Sequence, residues 1–522
     1  MALRTYSRKG EPRDITYAQL SDDAAAFATA LLQKGMSKKH IGIISENSYE
    51  WIVAFLGIVA SGNVAVCVDI EQTDSTIAAM VRETDAEAVV VSEAMHAVVG
   101  EALEDVKELH DVIIINDKDG QGFAEMVALG HEALVKGDTR LEKADVSPQQ
   151  TAAIVFTSGT TSVSKPVMLS HEGMLYNAYE SIGMVKATGM KVFTSLPFCH
   201  AYGLTTCIIG NLLAGLHTCI NGDLKTTMRD FALFQPQTMM AVPLMVEMIY
   251  HRTLAAIEQS GNKDEIMRAI RRNKTLNKIG IGRNGDGLRN IMKEYIGELS
   301  LIVCGGAHLS MAIAEGMSEF GVLVLQGYGI TECSPLIASN RNEAYKLDSV
   351  GLIIPSLEYK VEDGEIMVRG VSVMQGYYKN EELTKQEIVD GWFKTGDLGY
   401  LDKNEFLYIT GRKKNLIVFK NGKKVSSEEV ESYVQGISLV KEVVAYGATS
   451  GNSTDDVRLA VTVFPDANKT GGMSSYDILE KLQQEIDVIN NSLPSYKQIQ
   501  MVNIRESEFE KTSSRKIKRQ IL

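Results

Sequence analysis

Residues 15–34 (ITYAQLSDDAAAFATALLQK) place apolar side chains three and four positions apart, which predicts an amphipathic helix ending at Gly35. A β-branched run, IGIIS (41–45), predicts a strand after it. The most apolar stretch, residues 51–70, is interrupted by Gly57, Ser61, Gly62 and Asn63. It is therefore expected to be a buried helix, from about residue 49 to 60, turning into a strand at 64–70, and not a membrane span. Residues 204–220 and 239–249 are expected to be buried in the same way. Further strands are expected at 86–92, 112–116, 152–159, 299–307 and 322–329. Helices alternating with short β-branched runs predict α/β units and largely parallel sheets.

The pattern changes after about residue 355. YKVEDGEIMVRG and EFLYITGR alternate like short antiparallel strands, with Asp363-Gly364 as a hairpin turn. Beyond Arg412 a small α+β unit is expected. It has a strand at 416–419, a turn at Asn421-Gly422, and a helix opened by Ser426 with Glu429 as a capping box. Strands at 441–447 and 457–464 and a helix at 475–491 complete it. The domain boundary is expected in the charged run GRKK (411–414), giving domains 1–411 and 412–522.

At 522 residues the chain is too long for one ordinary domain. Hydrophobic residues make up 45% and charged residues 23%, enough apolar material for a large core. The net charge of −13 argues against nucleic-acid binding, which uses a broad basic face. Cys67, Cys199, Cys207, Cys219, Cys304 and Cys333 form no C-x-x-C pair, so buried thiols in a reducing compartment are expected, not a zinc site. The N-terminus lacks the apolar core of a secretory signal, so a cytoplasmic location with at most peripheral membrane contact is expected.

IVFTSGTTSVSKPVMLSH (154–171) carries the densest chemistry. An apolar strand runs into Thr157, Ser158, Gly159, Thr160, Thr161 and then Lys165. Small hydroxyl residues and a glycine let backbone N–H and side-chain O–H groups converge on an anion, and the lysine adds a mobile charge. A polar surface turn would have the same composition. A Walker A loop is excluded, because Ser164 replaces its second glycine and Pro166 the Ser/Thr that would hold magnesium. The formal dinucleotide fingerprint Gly280-x-Gly282-x-x-Gly285 follows charged RNKTLNK, which reads as a basic linker before a helix and not as a buried strand. Four later segments are each unremarkable alone: GYGITECSP (327–335), GWFKTGDLGYLD (391–402) with Asp397 in a tight glycine turn, ITGRKKNLIVFKNGKKVSSEEVE (409–431), and KTSSRKIKR (511–519).

Taken in order, these five motifs resemble the acyl-adenylate-forming (AMP-binding) superfamily, and the resemblance covers nearly the whole chain. It implies an α/β fold: a large N-terminal domain of stacked mixed sheets with helices plus a distorted β-barrel, and a small mobile α+β C-terminal domain. It implies that the loop 157–165 holds the β- and γ-phosphates of ATP, and that Gly305, Gly306 and Ala307 border the nucleotide. Tyr328, between Gly327 and Gly329, would stack on adenine. Glu332, with Thr157 or Thr331, would hold Mg2+. Asp397 and Arg412 would bind ribose, Lys516 would contact the substrate carboxylate and α-phosphate, and Lys414 would be the hinge. The resemblance is nearest in look to long-chain fatty acyl-CoA synthetases. LPFCHAYGL (196–204) puts His200 beside the acyl or pantetheine site, and the basic stretch 260–298 and GRKKNLIVFKNGKKVSSEEVE suit that branch. The apolar, methionine-rich segment TMMAVPLMVEMIYH (238–251) suits a flexible apolar ligand. No aspartate that would hold an α-amino group stands in 196–204.

The implied activity is ATP-dependent activation of a carboxylic acid as acyl-AMP, then thioester formation with CoA. Transfer to a separate acyl carrier protein, or nucleotide binding without catalysis, would use the same motifs. The chain ends shortly after Lys516, which reads as a freestanding ligase without a fused carrier. Ser162 and Pro166 stand where the family's loop carries glycine, Ser164 where it carries proline, and Arg515 where glycine precedes the lysine. A stiffer loop is the expected consequence.

Overall fold

The computed structural model describes residues 1–115, 122–157, 164–278, 286–419, 423–449, 457–511 and 517–519. Its chain forms two compact units. One contains residues 1–157, 164–358 and 369–391; the other contains 359–368 and the described part of 392–522.

Local signals account for most elements of the first unit. The helix Tyr17–Gln33 is capped by Thr16, with Gln19 closing the capping box, so two end N–H groups are satisfied. Its Leu20, Phe27 and Leu31 are buried. Residues 51–70 form the buried helix Tyr49–Ala60, capped by Ser48, and the strand Val64–Cys67. No helix among the described residues is long and apolar enough to cross a membrane. All six cysteines are buried free thiols.

Two mixed sheets form the first unit's framework. In the seven-stranded sheet, Thr151–Phe156, Val64–Cys67, His40–Ile44, Ala86–Ser92 and Asp111–Ile115 run parallel, as the helix–strand alternation predicts. Pro166–Ser170 and Gly376–Tyr377 then add antiparallel strands at one edge. The segment 154–171 is thus a β-hairpin, and not a strand followed by a free turn. Pro166 opens its second strand, the position where a missing N–H is tolerated. The nine-stranded sheet runs from Leu352–Ile353 through Leu323–Gly329, Leu301–Cys304, Thr238–Ala241 and Lys191–Thr194 to Pro12–Ile15. Leu325, Leu301, Val303, Met240 and Val192 make a buried cluster on this sheet.

The expected basic linker at RNKTLNK is instead the end of the helix Lys263–Lys278. Lysine, arginine and asparagine are compatible with a helix, and composition alone does not separate that from a linker. Gly280, Gly282 and Gly285 lie outside the described residues. Residues 204–220 also differ from a plain helix, forming a nine-residue π-helix, Tyr202–Gly210, before the strand His217–Ile220.

In the second unit, antiparallel pairing joins Glu365–Gly370, Trp392–Leu401 and Leu407–Arg412. Asp363 and Gly364 both take the left-handed conformation (φ 50° and 80°) that the tight hairpin turn requires. A three-stranded sheet (Val440–Thr449, Val457–Pro465, Met501–Ile504) packs with helices Ser427–Gln435 and Ser475–Ser492 around Val430, Val461, Leu482 and Ile486. Ser426 caps the first helix through the Glu429 N–H, but the reciprocal half of the box is replaced. The Glu429 carboxylate instead accepts from Tyr433 and Lys497.

Candidate active site

The hairpin's geometry positions the first candidate residues. Phe156 pairs with Pro166 at the last register position. One step further, the Thr157 N–H donates to the Lys165 carbonyl (3.0 Å) and the Lys165 N–H donates to the Thr157 hydroxyl (3.2 Å). The loop is therefore closed at its base by its own first and last candidates. Ser158, Gly159, Thr160 and Thr161 lie outside the described residues.

Lys165 is directed onto an aromatic ring. Its Nζ lies 4.9 Å from the centre of Tyr377, a cation–π contact. The Tyr377 hydroxyl donates to the Glu332 carboxylate at 3.0 Å. Burial, with Glu332 second, pushes the Tyr377 hydroxyl far above its ordinary range, so it remains a donor at working pH. Lys165, Tyr377 and Glu332 thus form one linked set. Glu332 sits in the turn Thr331–Cys333, just after the strand Leu323–Gly329, and its carbonyl accepts from the Met374 N–H (2.8 Å). Sequence reasoning did not single out Tyr377. It stands in VMQGYYKN, and an isolated aromatic beside another aromatic carries no chemical signature.

The glycines have structural reasons. Gly306 has φ +88°, where a side chain would be strained. A Cβ on Gly329 would lie 2.4 Å from the Pro335 carbonyl, so the strand carrying Tyr328 approaches that turn only with glycine. Gly305, Gly306, Gly327, Tyr328 and Gly329 line a cavity of about 400 Å³ whose remaining wall is mainly apolar, Met240 and Leu336 included. Ala307 is exposed next to this wall.

His200 is half-buried at the turn leading into the π-helix, and its carbonyl accepts from the Leu204 N–H (2.9 Å). Asp69 and Cys199 lie close by, with one ligating atom from each of the three within 4.8 Å of the others. Spacing along the chain could not reveal this group, because Asp69 comes from a different strand end. The Cys199 thiol is pushed well up, chiefly by burial and then by Asp69.

In the second unit, Asp397 and Arg412 are cross-strand partners and make an ion pair of 2.7 Å, with Asp397 buried. The expected tight turn at Asp397 is absent. It lies within the strand Trp392–Leu401, where Gly396 alone takes a left-handed φ of 69°. Glycine-rich GWFKTGDLGY suggests a turn, but cross-strand pairing to Glu365–Gly370 on one side and Leu407–Arg412 on the other holds it as one bulged strand. Lys414 is exposed in the single turn Lys413–Asn415, and its neighbour Lys413 pairs with Glu365 at 2.6 Å. Lys516 lies outside the described residues. The chain on either side of it is tethered. Lys511 pairs with Glu442, and Arg519 makes two 2.6 Å contacts to Glu431. Neither Glu431 nor Arg519 was legible as a tether, because residues far apart in sequence meet there.

The AMP-binding enzyme family model matches residues 2–378, and the AMP-binding enzyme C-terminal domain matches residues 414–522. The chain is 26% identical to the long-chain-fatty-acid–CoA ligase FadD15 of Mycobacterium bovis, over 98% of this chain and 90% of that protein. It is 25% identical to a chloroplastic long-chain-fatty-acid–[acyl-carrier-protein] ligase of Arabidopsis thaliana, over 90% of this chain and 75% of that one. Among solved structures, an anthranilate CoA ligase in complex with anthranoyl-AMP superposes with a TM-score of 0.80 at 19% identity, covering 99% of this chain and 92% of that one. The o-succinylbenzoate CoA synthetase of Bacillus subtilis with ATP and magnesium ion gives 0.74 at 20% identity, covering 100% and 96%. These likenesses carry the fold of stacked mixed sheets with a separate C-terminal unit. With a family model spanning well over half of its length, the chain belongs to the AMP-binding enzyme family.

Proposed function

We propose that this protein is an ATP-dependent acid–thiol ligase that joins a long-chain fatty acid to CoA through an acyl-AMP. The observation that carries the reading is the linked set Lys165–Tyr377–Glu332 in the same unit as the Tyr328-lined cavity. A cation, an oxygen ligand for a metal and an apolar chamber are what acid activation by ATP needs.

A fatty carboxylate is ionised at neutral pH, with a pKa of about 4–5 like that of glutamate, so the first step needs no general base. A carboxylate oxygen attacks the α-phosphorus of ATP, an acyl–O–P bond forms, and pyrophosphate leaves with the bond to the β-phosphate oxygen. In the second step a thiolate attacks the acyl carbon, the thioester forms, and AMP leaves. Lys165 and the loop 157–165 neutralise the β- and γ-phosphates, and Lys516 neutralises charge developing at the α-phosphate. Tyr328 stacks on adenine between Gly327 and Gly329, beside Gly305, Gly306 and Ala307, and Asp397 and Arg412 bind ribose. His200 borders the acyl and pantetheine path. Mg2+ takes oxygen ligands, using one or two carboxylates and keeping several waters. Glu332, whose carboxylate is steadied by a hydroxyl donor, with the hydroxyl of Thr157 or Thr331, fits that donor set. When bound, the ion supplies charge neutralisation on the phosphates.

The test is exchange of pyrophosphate into ATP, driven by a panel of carboxylic acids and followed by AMP release with and without CoA. Exchange with fatty acids and CoA-dependent AMP release is the expected outcome. Exchange without CoA turnover, but with transfer to a carrier protein, would favour the second activity, the one the Arabidopsis relative's name describes. ATP binding with no exchange for any acid would leave a nucleotide-binding relative without catalysis.

A further expected result concerns the hinge. Lys414→Pro should leave acid-dependent exchange within a few-fold of the parent and stop thioester formation, because proline removes the φ freedom that rotation of the 412–522 domain needs. Equal loss of both steps would count against a hinge at this residue.

A further inference from the structure

Asp69, Cys199 and His200 bring a carboxylate, a thiol and an imidazole together from two distant stretches of chain. One ligand atom from each lies within 4.8 Å of the other two. Asp69 follows the strand Val64–Cys67, and Cys199 and His200 are consecutive in the turn ahead of the π-helix Tyr202–Gly210. Hydrogen bonds hold that turn. The His200 N–H donates to the Pro197 carbonyl (3.2 Å), and the His200 carbonyl accepts from the Leu204 N–H (2.9 Å). The Phe198 N–H donates to the Asn47 side chain (3.0 Å), which ties the turn to the segment just before helix Tyr49–Ala60.

The carboxylate is oriented as well. One Asp69 oxygen accepts from the Glu71 N–H (3.1 Å) and the other from the Gln72 side-chain amide (2.9 Å). Both donors are uncharged, so they steady the carboxylate without neutralising it. Each oxygen keeps a further lone pair for a cation. Outer partners of this kind fix the direction of a ligand at metal centres. Asp69 and Cys199 are each 7% exposed, and His200 is half-buried. Buried charges are paired or coordinate metals, and this carboxylate has two further ligand types beside it. The lack of a C-x-x-C pair excludes a site built on paired cysteines. It does not exclude a mixed site whose third donor comes from another strand end.

We propose that Asp69, Cys199 and His200 bind a zinc ion, with water as its fourth ligand. Zinc accepts sulfur, nitrogen and oxygen donors in one tetrahedral shell at about 2.0–2.3 Å. Ligand atoms in such a shell stand roughly 3.3–3.8 Å apart. A group already within 4.8 Å closes on the ion by shifts of about 1 Å or less, which side-chain rotation supplies. Magnesium takes oxygen donors, so this trio discriminates against the ion assigned to Glu332. Cysteine binds as the thiolate: the S–H bond breaks, the proton passes to solvent and the S–Zn bond forms. Three protein ligands leave the ion one exchangeable position. All three residues belong to the first unit, and the assignment does not depend on the ligase reading. Its failure leaves that reading untouched.

The experiment is metal titration of the full chain, stripped of metal by a chelator that is then removed. Calorimetry is expected to show a single equivalent of Zn2+ that excess Mg2+ does not displace. Co2+ is the optical probe. A tetrahedral centre with one thiolate gives intense visible bands and a sulfur-to-cobalt charge-transfer band in the near ultraviolet. Cys199→Ser and Asp69→Asn, made separately, should each weaken Zn2+ binding by about 10–100-fold or more. Cys199→Ser should also abolish the charge-transfer band. The thermal transition of each metal-free variant reports folding, and Cys199→Ala replaces the serine variant where serine unfolds the chain. A parent chain without the thiolate–cobalt band overturns the proposal, whatever the variants do. So does Zn2+ affinity that is unchanged in either folded variant, the result expected of adventitious binding at surface histidines.

Discussion

Replacing Lys516 with alanine is expected to slow acyl-adenylate formation by about 10²–10³, equivalent to about 3–4 kcal/mol of transition-state stabilisation. The carboxylate is already charged and the phosphates are charged, so their approach is opposed until cations offset it. A lysine aimed at the α-phosphate acts most strongly when the new bond is forming. The loss should therefore fall on pyrophosphate exchange. Thioester formation from a preformed acyl-adenylate, with AMP release as the readout, should stay within a few-fold of the parent. A comparable loss in both half-reactions would remove Lys516 from its assigned role. The ion pairs of Lys511 with Glu442 and of Arg519 with Glu431 do not involve Lys516, so the substitution leaves them in place.

The second large effect is expected for Glu332→Gln. The amide keeps the shape of the side chain and can still accept from Tyr377, but it loses the negative charge that an Mg2+ ligand supplies. Adenylation should fall by about 10²-fold at saturating Mg2+, and the Mg2+ concentration for half-maximal exchange should rise. Tyr377→Phe separates the two neighbours. Phenylalanine retains the ring under Lys165 but removes the hydroxyl from Glu332. Its effect should be smaller, about 1.5–3 kcal/mol for a lost hydrogen bond to a charged acceptor, and should again appear as a shift in Mg2+ dependence. An unchanged Mg2+ titration in both variants would exclude Glu332 as the metal's carboxylate.

Much of the architecture was legible because it is encoded locally. The helix Tyr49–Ala60 and the strand Ala86–Ser92 fall where the apolar periodicity predicts them. The strand Val457–Pro465 and the helix Ser475–Ser492 lie within a residue of their predicted positions. The hairpin at Asp363-Gly364 follows from two residues that tolerate positive φ. Two segments differ from what their composition suggests: RNKTLNK suits a linker but ends a helix, and GWFKTGDLGYLD suits a turn at Asp397, which lies on a strand. On the strand the hydrogen-bond partner comes from elsewhere in the fold, whereas in the helix it lies four residues back, and composition specifies neither.

The candidate site divides along the same line. Lys165, Glu332, Tyr328, Asp397 and Arg412 could be named from motif order, because each motif is contiguous and carries its own turn chemistry. Tyr377 could not, since its significance is a 3.0 Å hydrogen bond to a residue in a different motif. Asp69 beside His200, and Glu431 beside Arg519, were hidden for the same reason. Hydrophobic periodicity and glycine or proline placement act within a turn or two of chain, so the sequence by itself determined the elements, the two-part pattern and the reactive residue types. The partners those residues meet depend on sheet order and packing across distant segments. Only the tertiary structure decided them, because burial and hydrogen-bond satisfaction are properties of neighbours in space.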